Sequence, residues 1–340
     1  MEPHMLNMLK LMDQPIFLLC KGAVSWINPA AESLVTMDQR GDSILGAGVE
    51  LYDQWDRQSM IYTELTLQKT AYTVKICPME SGDLFILRPL SDKADVARKE
   101  QIHTSGKLRQ ILQDLFPACM ILQDYMEFDE DLLKEAARVN RSLYRLLRLS
   151  NKLSWAEQLF RGEITPYLER TELHRFVGDF AQSLAEVLDD GGWKLSMTPV
   201  HGTLYSNIDR ELMQQALYYV IAHGVSCSAK GTELVLAVRE QGNNIRFDLS
   251  YTMDGTTQVE GMEYPDLELV RAIGALHEGA LFQFDQGGKD CRIVLSIRKL
   301  QPTYPFKEKR HRPNVYGQFH PALVELSDVM ESWMYHPDRV

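Results

Sequence analysis

Residues 209–228, DRELMQQALYYVIAHGVSCS, carry the clearest helical pattern in this 340-residue chain. Apolar side chains recur at steps of three and four residues, which is the spacing of one face of an α-helix. Asp209 stands where its carboxylate can cap the first turn, so the pattern predicts a helix over 209–225. The apolar stripe comprises Leu212, Met213, Ala216, Leu217, Val220, Ile221 and Val225.

The sequence after this helix predicts the rest of an α/β domain. Strands are predicted at 233–239 and 244–250, a second helix at about 267–276 and a closing hairpin at 280–298. In the hairpin, apolar residues alternate on both sides of the turn-prone sequence at 285–288. Helices that cover one face of a mixed sheet give an α/β sandwich.

This arrangement resembles the ATP-binding lobe of the sensor histidine kinases, a GHKL (Bergerat-type) α/β sandwich that gyrase shares. Residues 215–228 fall on the helix of the family's Asn box, and residues 267–279 fall on its second glycine box and the helix after it. A predicted helix at 172–188 and the strands that follow match the start of the lobe, which therefore spans 164–300. The resemblance implies a site for ATP and Mg²⁺.

The positions that this family uses to bind ATP hold different residue types here. His223 stands at the position of the Asn that binds Mg²⁺, and Tyr219 at that of an earlier Asn on the same helix. Ser250 and Thr252 stand at the positions of the Asp and Gly that read adenine. Tyr264 and Asp266 stand at the positions of two glycines of the phosphate-binding loop. Imidazole suits transition metals better than Mg²⁺, and tyrosine cannot copy the backbone freedom of glycine. Asp266 adds negative charge where phosphates would lie. Together these changes predict a retained fold with a degenerate pocket and no cofactor.

His223 has two interpretations. In the first, Tyr219 and His223 lie four residues apart on one helix face and fill part of the volume that ATP needs. In the second, His223 is a ligand for another small molecule or a metal, with Asp266 as its partner. A metal site normally needs three or four convergent ligands, so the first interpretation is favoured and no metal is predicted.

Residues 1–91 carry a strand-rich pattern behind a short amphipathic helix. Strands are predicted at 16–19, 24–27, 62–67, 72–77 and 84–88, and a short helix opens at 28–32. This order resembles a PAS sensor domain. No histidine lies between His4 and His103 and no cysteine lies in a flavin-adduct motif, so nothing specifies a cofactor. A ligand-free packing or dimerisation module is favoured over a ligand-binding sensor.

Residues 92–163 are predicted to be helical. A first helix at 107–123 contains Pro117, and a second helix, capped by Asp129, continues beyond residue 150. This pair resembles the dimerisation and phosphotransfer hairpin of histidine kinases, two of which form a four-helix bundle across a dimer axis. The predicted bundle core includes Leu108, Leu115, Leu143 and Leu146.

The family's phosphoacceptor histidine lies five residues before that proline, where this chain has Leu112. Leucine cannot accept phosphate, and the neighbouring Gln113 cannot serve as a general base. His103 lies nine residues earlier, or about 13 Å along a helix, so it cannot simply substitute.

Composition and charge exclude several function classes. A net charge of −11 argues against general nucleic-acid binding. The longest apolar run near the start, 16–20, is too short to span a bilayer, and there is no signal-peptide pattern. Five cysteines without CxxC spacing are typical of reduced thiols. We therefore predict a cytoplasmic protein with no membrane span.

Residues 301–340 follow the predicted lobe. They comprise a basic linker, with its charges at 307–312, and an amphipathic helix predicted at 321–335. Docking of this helix on its own chain is favoured, and binding to a partner is the alternative.

Taken together, the sequence predicts an α+β multidomain protein that resembles a sensor histidine kinase without its catalytic residues. Such a pseudokinase would be a homodimer that signals to a response regulator, an intact kinase or a transcription factor. The alternatives are an active ATP-dependent kinase with divergent motifs and a dimeric scaffold without sensing. Autophosphorylation needs both the missing histidine and the missing asparagine, which favours the pseudokinase.

Overall fold

The computed structural model describes residues 9–10, 12–55, 57, 60–89, 112, 115–116, 119, 130–160, 164–198, 202–253, 265–286, 290–299 and 319–339. The strands are β1 Ile16–Cys20, β2 Ala23–Ile27, β3 Met60–Leu67, β4 Thr70–Met79, β5 Gly82–Pro89, β6 Glu169–Glu172, β7 Lys194–Met197, β8 Tyr205–Ile208, β9 Glu233–Gln241, β10 Asn244–Thr252, β11 Ala280–Gln286 and β12 Asp290–Arg298. The α-helices are α1 Gly41–Leu45, α2 Val49–Asp53, α3 Glu130–Phe160, α4 Leu173–Gly191, α5 Arg210–Cys227, α6 Pro265–Leu276 and α7 Pro321–Glu325.

Ten of these strands form one mixed sheet. Their order is β2-β1-β5-β4-β3-β11-β12-β10-β9-β7, and β6 pairs separately with β8. The first five strands come from the N-terminal part of the chain and the other five from the C-terminal lobe. They meet where Met60–Tyr62 of β3 pairs antiparallel with Gln283–Asp285 of β11, which we call the sheet junction.

The helices cover opposite faces of the sheet in its two halves. Phe282 and Phe284 of β11 belong to the core of the N-terminal half, together with Ile61 and side chains of α1 and α2. Leu281, which alternates with them along β11, belongs to the core beneath α4, α5 and α6. A Cβ atom at Gly48, just before α2, would lie 2.6 Å from the Phe282 ring. The segment between α1 and α2 therefore packs directly against β11.

The long helix α3 packs on its own chain through an aromatic cluster. The Tyr144 ring lies 5.3 Å from the Phe319 ring and 5.1 Å from the Tyr335 ring, and Phe116 lies 4.3 Å from Phe319. Leu143 is 6% exposed in the same core. The sequence predicted Leu143 in the core of a dimer bundle, whereas in the structure its own chain already covers it.

The other predicted bundle residues have different surroundings. Leu146 is half-buried against the core, whereas Leu115 is 40% exposed. Leu108 and most of the predicted first helix at 107–123 lie outside the described residues.

Residues 319–339, the C-terminal segment, dock on α3, α4 and α5. The sequence predicted a helix over 321–335, but the structure has only α7 and a 3₁₀ turn at Ser332–Tyr335. The Ser327 hydroxyl donates to the carbonyl of Val324, a local bond that competes with helix continuation. The amphipathic pattern was still informative, since Leu326 and Met330 are fully buried on the chain's own core.

Candidate functional site

Helix α5 is fixed at its start and along its sheet-facing side. The Asp209 carboxylate accepts hydrogen bonds from the backbone N–H groups of Leu212 at 3.2 Å and Tyr167 at 2.7 Å. A Cβ atom at Gly224 would lie 2.8 Å from Leu234 and 2.9 Å from Leu249, so α5 lies close against β9 and β10. The opposite side carries Gln215, Tyr219 and His223 at four-residue steps.

The guanidinium of Arg148, from α3, lies over this side of α5. Its Nη2 is 2.7 Å from Asp266 Oδ2 at the start of α6, and its Nε is 3.4 Å from Glu325 Oε2 at the end of α7. Its Nη1 pairs with Asp328. Gln215 of α5 donates to the other oxygen of Glu325 at 3.0 Å. The elements α3, α5, α6 and α7 therefore meet around the Arg148–Glu325 ion pair.

Charges in this cluster balance within the chain. Lys152 also pairs with Asp266, and Arg145 lies 2.8 Å from Asp328. Three cations thus face three carboxylates; we call Arg145, Arg148, Lys152, Asp266, Glu325 and Asp328 the Arg148 cluster. The Arg148 and Glu325 side chains are 4% and 0% exposed, so water contributes little to stabilising either charge.

Burial and these neighbours set the protonation states. Burial by itself lowers the pKa of Arg148, but Asp266, Glu325 and Asp328 outweigh it and raise the pKa, so the guanidinium stays charged. Burial, with Glu325 and Asp266, raises the pKa of Tyr219 well above its ordinary range, so the phenol is neutral. Burial lowers the pKa of His223 to about 4, against the opposing effect of Asp266. His223 is therefore a neutral imidazole at pH 7.

The structure brings three of the predicted site residues together. Tyr219 and His223 are almost fully buried side by side on α5, and Asp266 is close enough to shift the pKa of both. Tyr264 lies outside the described residues. Leu112, at the phosphoacceptor position, is 1% exposed within the main core.

Ser250 and Thr252 do not join this group. Both alternate along β10 with Leu249 and Tyr251, which face α5, so they project from the opposite face of the sheet. Tyr251 is the residue that reaches α5, since a Cβ atom on Gly224 would lie 3.4 Å from its ring. The six predicted positions therefore do not line one pocket.

Five residues of the Arg148 cluster, all except Asp266, were missed as site residues by sequence reasoning: Arg145, Arg148, Lys152, Glu325 and Asp328. The sequence places Arg148 in a row of arginines on the side of α3 opposite its apolar stripe, yet the structure buries this residue. Glu325 stands in the apolar run Pro321–Leu326, where a buried acid needs a cation. Asp328 follows it by three residues. An isolated acid in an apolar segment and an arginine stripe on a helix are the signals that could have suggested this pairing.

Neither a candidate metal site nor a membrane-spanning helix is found among the described residues. No group of three or more histidine, cysteine, aspartate and glutamate side chains there lies close enough to hold a metal ion. No helix in that part of the chain has both the length and the apolar character needed to cross a membrane.

Comparison with known proteins gives similar folds only among solved structures. No protein-family model matches the chain. No curated protein matches it either. Similar structures include the histidine kinase AdeS of Acinetobacter baumannii, with 17% identity, a TM-score of 0.42, and coverage of 58% of this chain and 98% of that one.

Two further histidine kinases are similar over different shares of their length. Full-length ShkA in complex with AMPPNP has 16% identity and a TM-score of 0.48, covering 59% of this chain and 45% of that one. ThkA in complex with the response regulator TrrA has 12% identity and a TM-score of 0.36, covering 88% and 99%.

Proposed function

We propose that this chain is a catalytically inactive relative of the sensor histidine kinases, a cytosolic pseudokinase that relays the state of its N-terminal half to a partner protein. The observation that carries this proposal is the insertion of Arg148 between Asp266 and Glu325, over the side of α5 where the resemblance places the nucleotide. The protein's own side chains occupy that side.

The charge of the Arg148 cluster argues against a nucleotide there. The three cations are already matched by three carboxylates, so an incoming triphosphate would meet Asp266, Glu325 and Asp328 as like charges. Displacing the guanidinium would leave Glu325 buried without its cation, a change that costs several kcal/mol, on the order of 3–5. Neutral His223 supplies no oxygen ligand for Mg²⁺.

The phosphoacceptor position supports the same proposal. Leu112 has no nucleophilic atom, and it is packed in a core that includes Leu143 and Leu147. A substitution that restored histidine there would place the imidazole away from solvent and from any phosphate donor. Loss of the acceptor and loss of the nucleotide site are thus two separate obstacles to autophosphorylation.

The N-terminal half fits a PAS-like sensor. Its strand order β2-β1-β5-β4-β3, with short helices inserted between β2 and β3, supports this assignment. Phe17 and Phe85 stack with centroids 4.7 Å apart, and Tyr52 lies 5.9 Å from Phe85. Because these rings occupy the space between helices and sheet, the proposal includes no haem or flavin in this half.

Signalling through a homodimer is part of the proposal. Leu132, Val139 and Leu149 on α3 are 45–47% exposed, and Leu146 continues the same stripe at a seven-residue step from Val139. An apolar stripe of this kind suits a helical contact with a second copy. The output would be a response regulator, an intact kinase or a transcription factor.

The experiment that tests the proposal is a titration of the full chain with a fluorescent ATP analogue and Mg²⁺, repeated by calorimetry with ATP. An intact sensor kinase serves as the positive control. We expect no binding tighter than about 100 μM, or about −5.5 kcal/mol, and no autophosphorylation. Tighter binding would favour the alternative, an active kinase with divergent motifs.

A further inference from the structure

A cleft lies where the two halves of the sheet meet, on the face opposite α4, α5 and α6. Its volume is about 740 Å³, within the range of small-molecule sites in proteins. Alternate side chains of β9, β10 and β12 form its floor. Gln54 and Trp55, which follow α2, form the wall that belongs to the N-terminal half.

Two arginines, Arg246 and Arg292, stand at the inner end of the cleft. Arg246 lines it but is only 5% exposed, and its Nη1 donates to Gln54 Oε1 at 2.9 Å. Arg292 holds the buried carboxylate of Asp248 through two nitrogens, and its guanidinium lies 5.7 Å from the Phe284 ring centroid. Because little water reaches Arg246, its attraction for an anion is less screened than at an open surface.

The outer end has the opposite character. Glu233 and Asp290 are exposed there, and the Thr252 hydroxyl donates to Asp290 Oδ1 at 3.3 Å. Ser250 lies on the floor between Val235 and Arg292. Carboxylates at the mouth and arginines at the inner end favour a ligand with a single anionic group over a polyanion.

The side walls are aromatic. Trp55 is 5% exposed and Phe284 is 8% exposed, and they come from the two different halves. Flat apolar walls with a few convergent polar groups are typical of sites that bind planar ligands. We propose that this cleft binds a small planar monoanion, an aromatic or heteroaromatic carboxylate, with its carboxylate at Arg246.

Such a ligand would act as the signal, an inference that rests on the sensor role proposed above. It would touch Gln54 and Trp55 on one side and β10 and β12 on the other, so its binding would favour one relative arrangement of the two halves. A ligand that binds only the assembled cleft also stabilises the folded chain by mass action.

The test is a ¹⁹F NMR titration of the full chain with 4-fluorobenzoate, with the neutral 4-fluorobenzamide as a matched probe. We expect the carboxylate to bind at least about tenfold more tightly than the amide. Arg246→Met should weaken carboxylate binding by at least about tenfold. Arg175→Met is the control, since Arg175 is an exposed arginine of α4, on the opposite face of the sheet, and should leave binding unchanged.

A second variant keeps the test decisive if Arg246→Met does not fold. Ser250→Trp fills the floor of the cleft without removing charge, and it should abolish binding of the same probe. The inference is overturned by absence of carboxylate binding at about 10 mM, by equal affinity for the amide, or by equal losses in Arg246→Met and Arg175→Met. Mg²⁺-ATP binding would contradict the pseudokinase proposal alone, because that titration reports on the other face of the sheet.

Discussion

Arg148 and Glu325 form an ion pair with an Nε–Oε2 distance of 3.4 Å, although 177 positions separate them in the sequence. The pair joins α3 to the C-terminal segment, and Gln215 and Asp266 attach it to α5 and α6. One buried cation therefore connects three parts of the chain that the sequence assigns to three different regions.

Removing this cation should strongly destabilise the fold. Arg148→Met leaves Glu325 buried without its cation, and we expect the free energy of unfolding to fall by about 3–5 kcal/mol. Urea unfolding followed by circular dichroism measures the loss. Arg138→Met is the matched control on the same helix: Arg138 pairs with exposed Glu135, so the loss should stay within about 0.5 kcal/mol. Similar losses in both variants would show that the Arg148 cluster is not structural.

His223 should make stability depend on pH. Burial lowers its pKa from the ordinary 6.5 to about 4, so the unfolded chain binds the proton more readily between these values. The free energy of unfolding should then decrease as pH falls from about 6.5 to 4, by up to about 3 kcal/mol. In His223→Gln, the free energy of unfolding should change less over this pH range. Above pH 7 the difference in unfolding free energy between the variant and the wild type should stay constant. Parallel curves over the whole range would contradict the prediction.

The exposed stripe of α3 should mediate dimerisation. Val139→Glu puts a carboxylate on a surface that is 47% exposed in the single chain, so the fold should survive while the homodimer dissociates. Light scattering at micromolar concentration measures the mass, and circular dichroism verifies the fold. Leu143→Glu is the contrasting variant, because it places the charge in the chain's own core and should unfold it. A monomeric wild type would refute dimerisation through α3.

The sheet junction should contribute measurably to stability. The Thr63 hydroxyl donates to the carbonyl of Leu281 at 3.0 Å and is buried. Thr63→Val removes this donor at nearly constant volume, and we expect a loss of about 1 kcal/mol in chemical unfolding. Thr66→Val is the control on the same strand, at an exposed position. A loss at Thr66 that matches the loss at Thr63 would argue against a specific role for the junction.

Local periodicity predicted individual elements well. The stripe of α5, the second helix and the closing hairpin all fall within a few residues of their predicted bounds. The strands of the N-terminal half do so too. These elements could be predicted because the spacing of apolar residues within a helix or strand depends on that element alone.

The face on which each residue of β10 lies could also be predicted, because its apolar residues alternate. Ile245, Phe247, Leu249 and Tyr251 form its alternating apolar set, which places Ser250 on the other face. An alignment shifted by one residue exchanges the two faces of a strand. The resemblance to a nucleotide site was therefore applied to the wrong side of the sheet at Ser250 and Thr252.

The partners of α5 could not be predicted in the same way. The family resemblance assigned Tyr219 and His223 to a nucleotide pocket, yet α3, α6 and the C-terminal segment cover this side of α5. That contact depends on pairing between residues more than a hundred positions apart, which no periodicity records. The pairing of β3 with β11 could not be predicted for the same reason.

Because Thr63 and Leu281 are 218 positions apart, the order of synthesis matters for this sheet. At ribosomal speeds, synthesis of the segment between β3 and β11 takes on the order of ten seconds or more. Throughout that interval β3 is an edge strand whose backbone donors and acceptors have no neighbour on one side, a state that invites pairing with another nascent chain. The nascent N-terminal half is therefore prone to aggregation until β11 has been synthesised and pairs with β3.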